Sequence, residues 1–270
     1  DIGIDVSSGT NGLKIKKRDI PELVDKLTYI RFNLNAGNAK SNADIMGGQP
    51  QHFYQLMDIV KEFVYQKKER GSNITIGLQQ VLLKQYADEV IPLSLLGRNL
   101  GVDYTVIKHC SDDEQGSLGV DYNWYKSDLA QELLRSAEAI STSEYSVQAK
   151  WSKLRTGRDR KYSRCFGTPI LLQISGSGVI APCGSFFNEK YSRHHMGHLK
   201  DNTFKEIWLS DRYMEVVNHL KSDMFDPRKQ CATLCHQDKP NETLFDYFVN
   251  GVPIPEPYDT NPPYITFLTN

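Results

Sequence analysis

The chain has 270 residues, 39% hydrophobic and 24% charged, the composition of a globular protein able to bury one large core or two modest ones. A formal net charge of −1 leaves no global field that would draw nucleic acid or an anionic membrane, and no stretch approaches the roughly 20 apolar residues of a membrane span. Five cysteines, an odd number, do not suit a fully paired disulfide framework; with no secretory signal in view, the expected compartment is the reducing cytoplasm.

The opening run Asp1-Ile2-Gly3-Ile4-Asp5-Val6 alternates like a strand and carries no initiator Met. The sequence is therefore expected to start inside an element, with an N-terminal piece upstream. The basic run Lys14-Ile15-Lys16-Lys17-Arg18 is short and reads as a solvated loop. Up to about residue 155, β-branched runs alternate with helical patterns. Strands are expected at 2–6, 28–34, 73–83, 102–108 and 145–151, and helices at 20–26, 52–68, 88–100 and 125–139. The second helix has the clearest stripe, Phe53, Leu56, Met57, Val60, Phe63 and Val64, and Gly71 ends it. Strand–helix–strand repetition at this spacing implies right-handed βαβ units and an α/β fold on a parallel sheet. Periodicity does not choose between a partial barrel and a doubly wound sheet.

The polar, basic segment 155–164 is the expected domain boundary, which divides the chain into 1–155, 156–250 and a tail, 251–270, rich in proline and asparagine. Beyond it a hairpin is expected, 169–174 and 179–182, turning on Gly176 and Ser177 so that Ile170 pairs near Cys183. A helix over 203–221 follows, opened by the capping box Thr203 and Glu206.

Four cysteines lie in this second half as Cys165-x12-Gly178-x4-Cys183, a long gap, then Cys231-x3-Cys235. Four thiolates suit one tetrahedral zinc or one [4Fe–4S] cluster, and cysteines that merely pack remain a third reading. The hairpin brings Cys165 and Cys183 to one end of a ribbon, and the Cys231–Cys235 loop is placed to close the site. The step from Cys183 to Gly184 leaves room for backbone N–H groups to reach a sulfur. Cys110 stands apart as a partly buried thiol. His194, His195, His198 and His236 are expected at the surface or behind the ligands.

C-x(9–15)-G-x4-C with a late cysteine pair resembles the auxiliary-cluster domain of radical SAM enzymes, called SPASM or, in its shorter form, twitch. The flanking residues agree: Leu172-Gln173-Ile174-Ser175, Ala181-Pro182-Cys183-Gly184, Met196-Gly197-His198-Leu199, Phe204-Lys205-Glu206-Ile207-Trp208 and Cys235-His236-Gln237-Asp238. The first half is similar to the C-terminal part of the radical SAM partial (βα)6 barrel. Thr10-Asn11-Gly12 looks like the turn after its third strand, and Tyr29 to Ala36 with Ile45-Met46-Gly47 like its fourth strand and ribose-contacting turn.

The resemblance implies an auxiliary [4Fe–4S] cluster on Cys165, Cys183, Cys231 and Cys235. It also implies S-adenosylmethionine and a second [4Fe–4S] cluster in the full-length protein, with Asn11, Asn33, Asn35 and Lys108 as candidate cofactor contacts at strand ends. The implied activity is a 5′-deoxyadenosyl radical abstracting hydrogen from a peptide or small-molecule substrate. A reduced ferredoxin or flavodoxin-type protein would be the electron donor. The C-x3-C-x2-C motif of the SAM-cleaving cluster is nowhere in these residues, so the chain alone is expected to be inactive. The alternatives are a non-catalytic zinc module and an electron-transfer module on the same scaffold. Ser111 to Gly116, after a strand end, reads equally as a substrate loop or a solvated acidic turn.

Overall fold

The computed structural model describes residues 3–157, 159–233, 235–254 and 256. Among these, 3–110 with 121–155 form one compact unit, and 111–120 with 156–256 form a second. No helix of the described residues is long and apolar enough to cross a membrane.

The first unit holds strands β1 (Ser7–Thr10), β2 (Tyr29–Asn33), β3 (Thr75–Leu82), β4 (Tyr104–His109) and β5 (Ser146–Ala149). Its helices are α1 (Ile20–Lys26), α2 (Ala39–Met46), α3 (Pro50–Arg70), α4 (Val90–Leu100), α5 (Asp128–Glu138) and α6 (Trp151–Thr156), the last reaching the boundary. The strands pair in chain order and all in parallel. That order answers what periodicity left open. A doubly wound sheet reverses its strand order at a switch point. An unreversed order with crossovers of one hand keeps the helices on one face, as in an arc of a βα barrel.

Burial alternates accordingly. Ile30 and Phe32 of β2 are buried, and Phe32 meets Phe63 of α3 edge to face at 5.4 Å. Tyr29, Arg31 and Asn33 project to the other face and are only half-buried. The register sets Arg31 beside Gly77, Tyr104 and Ser146, and Asn33 beside Gln79, Val106 and Gln148. The helix-free face of the sheet is therefore largely polar.

Two expectations fail here. The first strand is 7–10, not 2–6: residue 2 lies outside the described residues, and Ile4 and Val6 are exposed because pairing begins where Ser7 meets Tyr29. Helix α2 was hidden because it buries only Asn42 and Ala43; it forms through its cap, where Asn38 Oδ1 accepts from the Ser41 amide at 2.9 Å.

The second unit holds a three-stranded antiparallel sheet, β6 (Gln173–Ile174), β7 (Val179–Ala181) and β8 (Gly197–His198). Its helices are α7 (Phe204–Trp208), α8 (Asp211–Lys221), α9 (Pro227–Gln230) and α10 (Asp238–Asn250). The hairpin turn differs from expectation. The Ser175 amide donates to Val179 O at 2.9 Å, so the loop has three residues, 176–178, and ends on Gly178 at φ +99°. Three-residue hairpin loops end on a left-handed residue, which selects glycine. Ile170 is exposed and lies before the strand, so it does not pair with Cys183. The expected 203–221 helix is two helices, since Ser210 caps a new one by accepting from the Tyr213 amide at 3.2 Å. Ile180, Phe186, Ile207, Val216, Leu220 and Phe225 form the core, with Cys165, Cys183 and Cys231 packed against it.

Candidate metal centre

All four cysteines line one cavity of 280 Å³ inside the second unit. Each is held by its own device. Cys165 is tied by its amide to Leu220 O at 2.9 Å. The loop after it is clamped by Asn241 of α10, whose Oδ1 accepts from the Phe166 and Gly167 amides and whose Nδ2 donates to Arg164 O. Cys183 leaves β7 just after the sheet pairing ends. Cys231 follows α9, and Cys235 precedes α10. Between them the Arg160 guanidinium, its side chain only 3% exposed, donates to the carbonyls of Ala232 and Thr233 and pairs with Asp238 at 3.6 Å.

Burial pushes every one of these thiols above the usual range, Cys183 to about 11 and Cys231 well above it, and neighbouring sulfurs add to the effect at Cys165, Cys183 and Cys231. Hydrogen bonds oppose it. The amides of Gly167 and Thr168 and the Thr168 hydroxyl reach Cys165, the Ser185 amide and hydroxyl reach Cys183, and the Gln237 amide reaches Cys235. Donors aimed at sulfur stabilise thiolate ligands and tune a cluster. Four buried thiols become thiolates only against a strong positive centre.

The space between the four thiols sets what they can hold. Four thiolates on one zinc converge to about 2.3 Å from a point. The cysteines line a cavity of 280 Å³, against the roughly 10–15 Å³ that is enough for one water. The donor set and the room fit a multi-iron cluster.

The other expected site residues belong to the first unit. Asn11 is exposed past the end of β1, its Oδ1 accepting from the Leu13 amide at 3.3 Å. Asn33 accepts from Gln79 Nε2 at 2.9 Å. Asn35 is buried and its side chain works inside the fold: Oδ1 accepts from the Val81 amide at 2.8 Å, and Nδ2 faces Met46 Sδ at 3.0 Å. Lys108 is half-buried on the helix-free face. Cys110, also half-buried, follows β4 and donates its amide to the Tyr125 hydroxyl.

Among the histidines, His236 lines the cavity. His194, expected at the surface or behind the ligands, is buried, its ring 4.6 Å from that of Phe186, and burial pulls its imidazole down to about 4. The acidic segment is not a solvated turn. Asp112 is buried and its carboxylate accepts from the amides of Asp113, Leu118 and Val120. Burial would raise its pKa, but those amides hold it below the usual value. Sequence reading missed Arg160, Gln237 and Asn241. Arg160 sits in a basic stretch with nothing local to mark it, whereas the apolar positions of α10 were a usable signal.

Residues 165–237 match the SPASM family model, an iron–sulfur cluster-binding domain. No curated protein is significantly similar to the chain in sequence. Among solved structures, SuiB of Streptococcus suis bound to S-adenosylmethionine is similar over 81% of this chain and 50% of its own, at 16% identity and a TM-score of 0.58. SuiB bound to its precursor peptide SuiA is similar over the same shares, at 15% identity and a TM-score of 0.54. The chain thus spans about half the length of SuiB. The chain therefore has the fold of SuiB over most of its own length, a parallel βα sheet followed by residues 165–237 that match the SPASM iron–sulfur cluster-binding domain.

Proposed function

We propose that this chain supplies the auxiliary [4Fe–4S] site and the substrate-facing sheet of a radical SAM enzyme that abstracts hydrogen from a peptide or small-molecule substrate. The observation that carries the reading is that Cys165, Cys183, Cys231 and Cys235 all line one cavity within residues that match an iron–sulfur cluster-binding domain. The cluster, when bound, supplies one-electron chemistry. The chain's own part is to hold four thiolates, aim amides and hydroxyls at them, and shield them with Phe186 and Phe225. S-adenosylmethionine belongs, on this reading, at the C-terminal ends of the strands near Asn11 and Asn33, where barrel sites lie. The SAM-cleaving cluster and its C-x3-C-x2-C motif are required for activity and are absent from these 270 residues. A peptide substrate is favoured by the SuiA complex of SuiB, and electrons would come from a reduced ferredoxin or flavodoxin-type protein.

Anaerobic reconstitution with iron and sulfide tests the reading. The expected result is close to four irons and four labile sulfides per chain, with broad charge-transfer absorption that Cys183→Ala abolishes or shifts. A colourless protein that binds one zinc tightly and no iron would overturn it in favour of the zinc module.

A further inference from the structure

One hydroxyl beside the metal centre has a single proton and two acceptors. Tyr162 is 3% exposed, and its hydroxyl donates to Asp238 Oδ1 at 2.7 Å. The same hydroxyl lies within hydrogen-bond reach of the sulfur of Cys235, one of the four cysteines that line the cavity. Burial, with the negative charges of Cys235 and Asp238 behind it, holds the phenol protonated far above the ordinary tyrosine range. The group is therefore a permanent donor, and what can vary is the acceptor it serves.

The two acceptors differ in what they lose when the proton turns away. Asp238 Oδ1 also lies 3.6 Å from Arg160 Nε, and its side chain is 32% exposed, so a cation and solvent hold its charge without the phenol. The Cys235 sulfur faces the cavity, with the Gln237 amide as another donor. Arg160 fixes both acceptors, since its guanidinium also donates to the Ala232 and Thr233 carbonyls of the loop that carries Cys235. Cys165 and Cys183 take hydroxyl donors from adjacent chain, Thr168 and Ser185; Tyr162 supplies the equivalent group to Cys235 from a distant segment. A hydrogen bond strengthens as its surroundings lose water and as its acceptor gains charge. One added electron at the centre puts more charge on the sulfur and favours the phenol there. The proton stays on the tyrosine oxygen, and only its direction changes.

We propose that the Tyr162 hydroxyl, shared between Asp238 and Cys235, donates to the Cys235 sulfur when the auxiliary cluster is reduced and so raises its reduction potential. Tyr162 acts through Cys235 as a positioning residue, and Asp238 and Arg160 aim it. This deepens the proposed function and rests on it only for calling the bound group a cluster. A donor that stabilises the reduced state more than the oxidised one moves the potential upward, by about 59 mV for each tenfold difference in a one-electron couple.

The test is an anaerobic dithionite titration of the full chain reconstituted with iron and sulfide, followed by its visible absorption. Tyr162→Phe keeps the ring and removes the hydroxyl; the midpoint is expected to fall by about tenfold in the electron equilibrium, or about 59 mV. A fluorinated tyrosine at position 162, a stronger donor of nearly the same shape, is expected to move it the opposite way. A merely structural tyrosine would change iron content or Tm and leave the midpoint in place. An unchanged midpoint in Tyr162→Phe overturns the proposal, and so does an unchanged or lowered one with the fluorinated residue, which decides alone if the phenylalanine variant takes up less iron. A chain that binds zinc or cobalt(II) but no iron refutes the auxiliary-cluster reading instead. In that case the sulfur-to-cobalt charge-transfer band tests the tyrosine by itself: it is expected at lower energy in Tyr162→Phe, and an unmoved band overturns the hydrogen bond.

Discussion

Lys150 shows how one side chain stores a pH dependence. It is 8% exposed, and burial pulls its ammonium down to about 7, with Lys153, Arg31 and Lys108 adding to the shift. In the unfolded chain it returns to its ordinary value of 10.5. Between those values the unfolded state binds more protons, so this group's contribution makes stability rise with pH through that window. Below the folded value the lysine is charged in both states and the full penalty applies. Lys150→Met is therefore expected to raise Tm most near pH 6, with the gain shrinking toward pH 10; an equal gain at both pH values would refute the shift. Single residues also mark the limits of reading without a structure. The cysteines were legible because thiolates at motif spacing announce their chemistry. Asn35 was not, because an asparagine at a strand end looks the same in sequence whether it meets a cofactor or, as here, the Val81 amide.

At the scale of elements, strong periodicity translated well, as did the Thr203–Glu206 capping box, while the caps at Asn38 and Ser210 were missed. Helices α1 and α3 follow their apolar stripes nearly to the residue. Helix α2 and strand β8 are short, and their existence rests on a cap and on a partner strand outside the local pattern. Packing of element on element is equally invisible locally. Helix α4 approaches the sheet at Gly97, where an added Cβ would lie 2.5 Å from Thr105 Oγ1 and 2.6 Å from the Tyr145 hydroxyl. Those two groups are already bonded to each other at 2.8 Å and cannot separate freely. Gly97→Ala is expected to destabilise the fold by about 1–3 kcal/mol, the cost of overpacking, read as a lower denaturation midpoint. An unchanged midpoint would mean that the helix can lift away without cost.

At the scale of the molecule, the second unit is assembled from distant chain. Thr233, in the loop between Cys231 and Cys235, bonds Asp112 across 121 residues: its hydroxyl accepts from the Asp112 amide at 2.7 Å and donates to the Asp112 carbonyl at 2.9 Å. Thr233→Val keeps the shape and removes both bonds, leaving a buried amide unsatisfied at a cost of about 1–3 kcal/mol. Faster proteolysis within 113–118 is the expected readout, and an unchanged cleavage rate would show that segment 111–120 is held by other contacts.

The sequence by itself singled out four cysteines at motif spacing and the parallel βα character of the first half. Both are written in short-range signals, the side-chain type at a given spacing and the period of apolar residues. Only the tertiary structure decided that the strands pair in chain order and that the four thiols line one cavity. It alone placed Arg31 and Lys108 on one uncovered face. Those outcomes depend on register and packing between segments tens of residues apart, and neither is encoded in any local window of the chain.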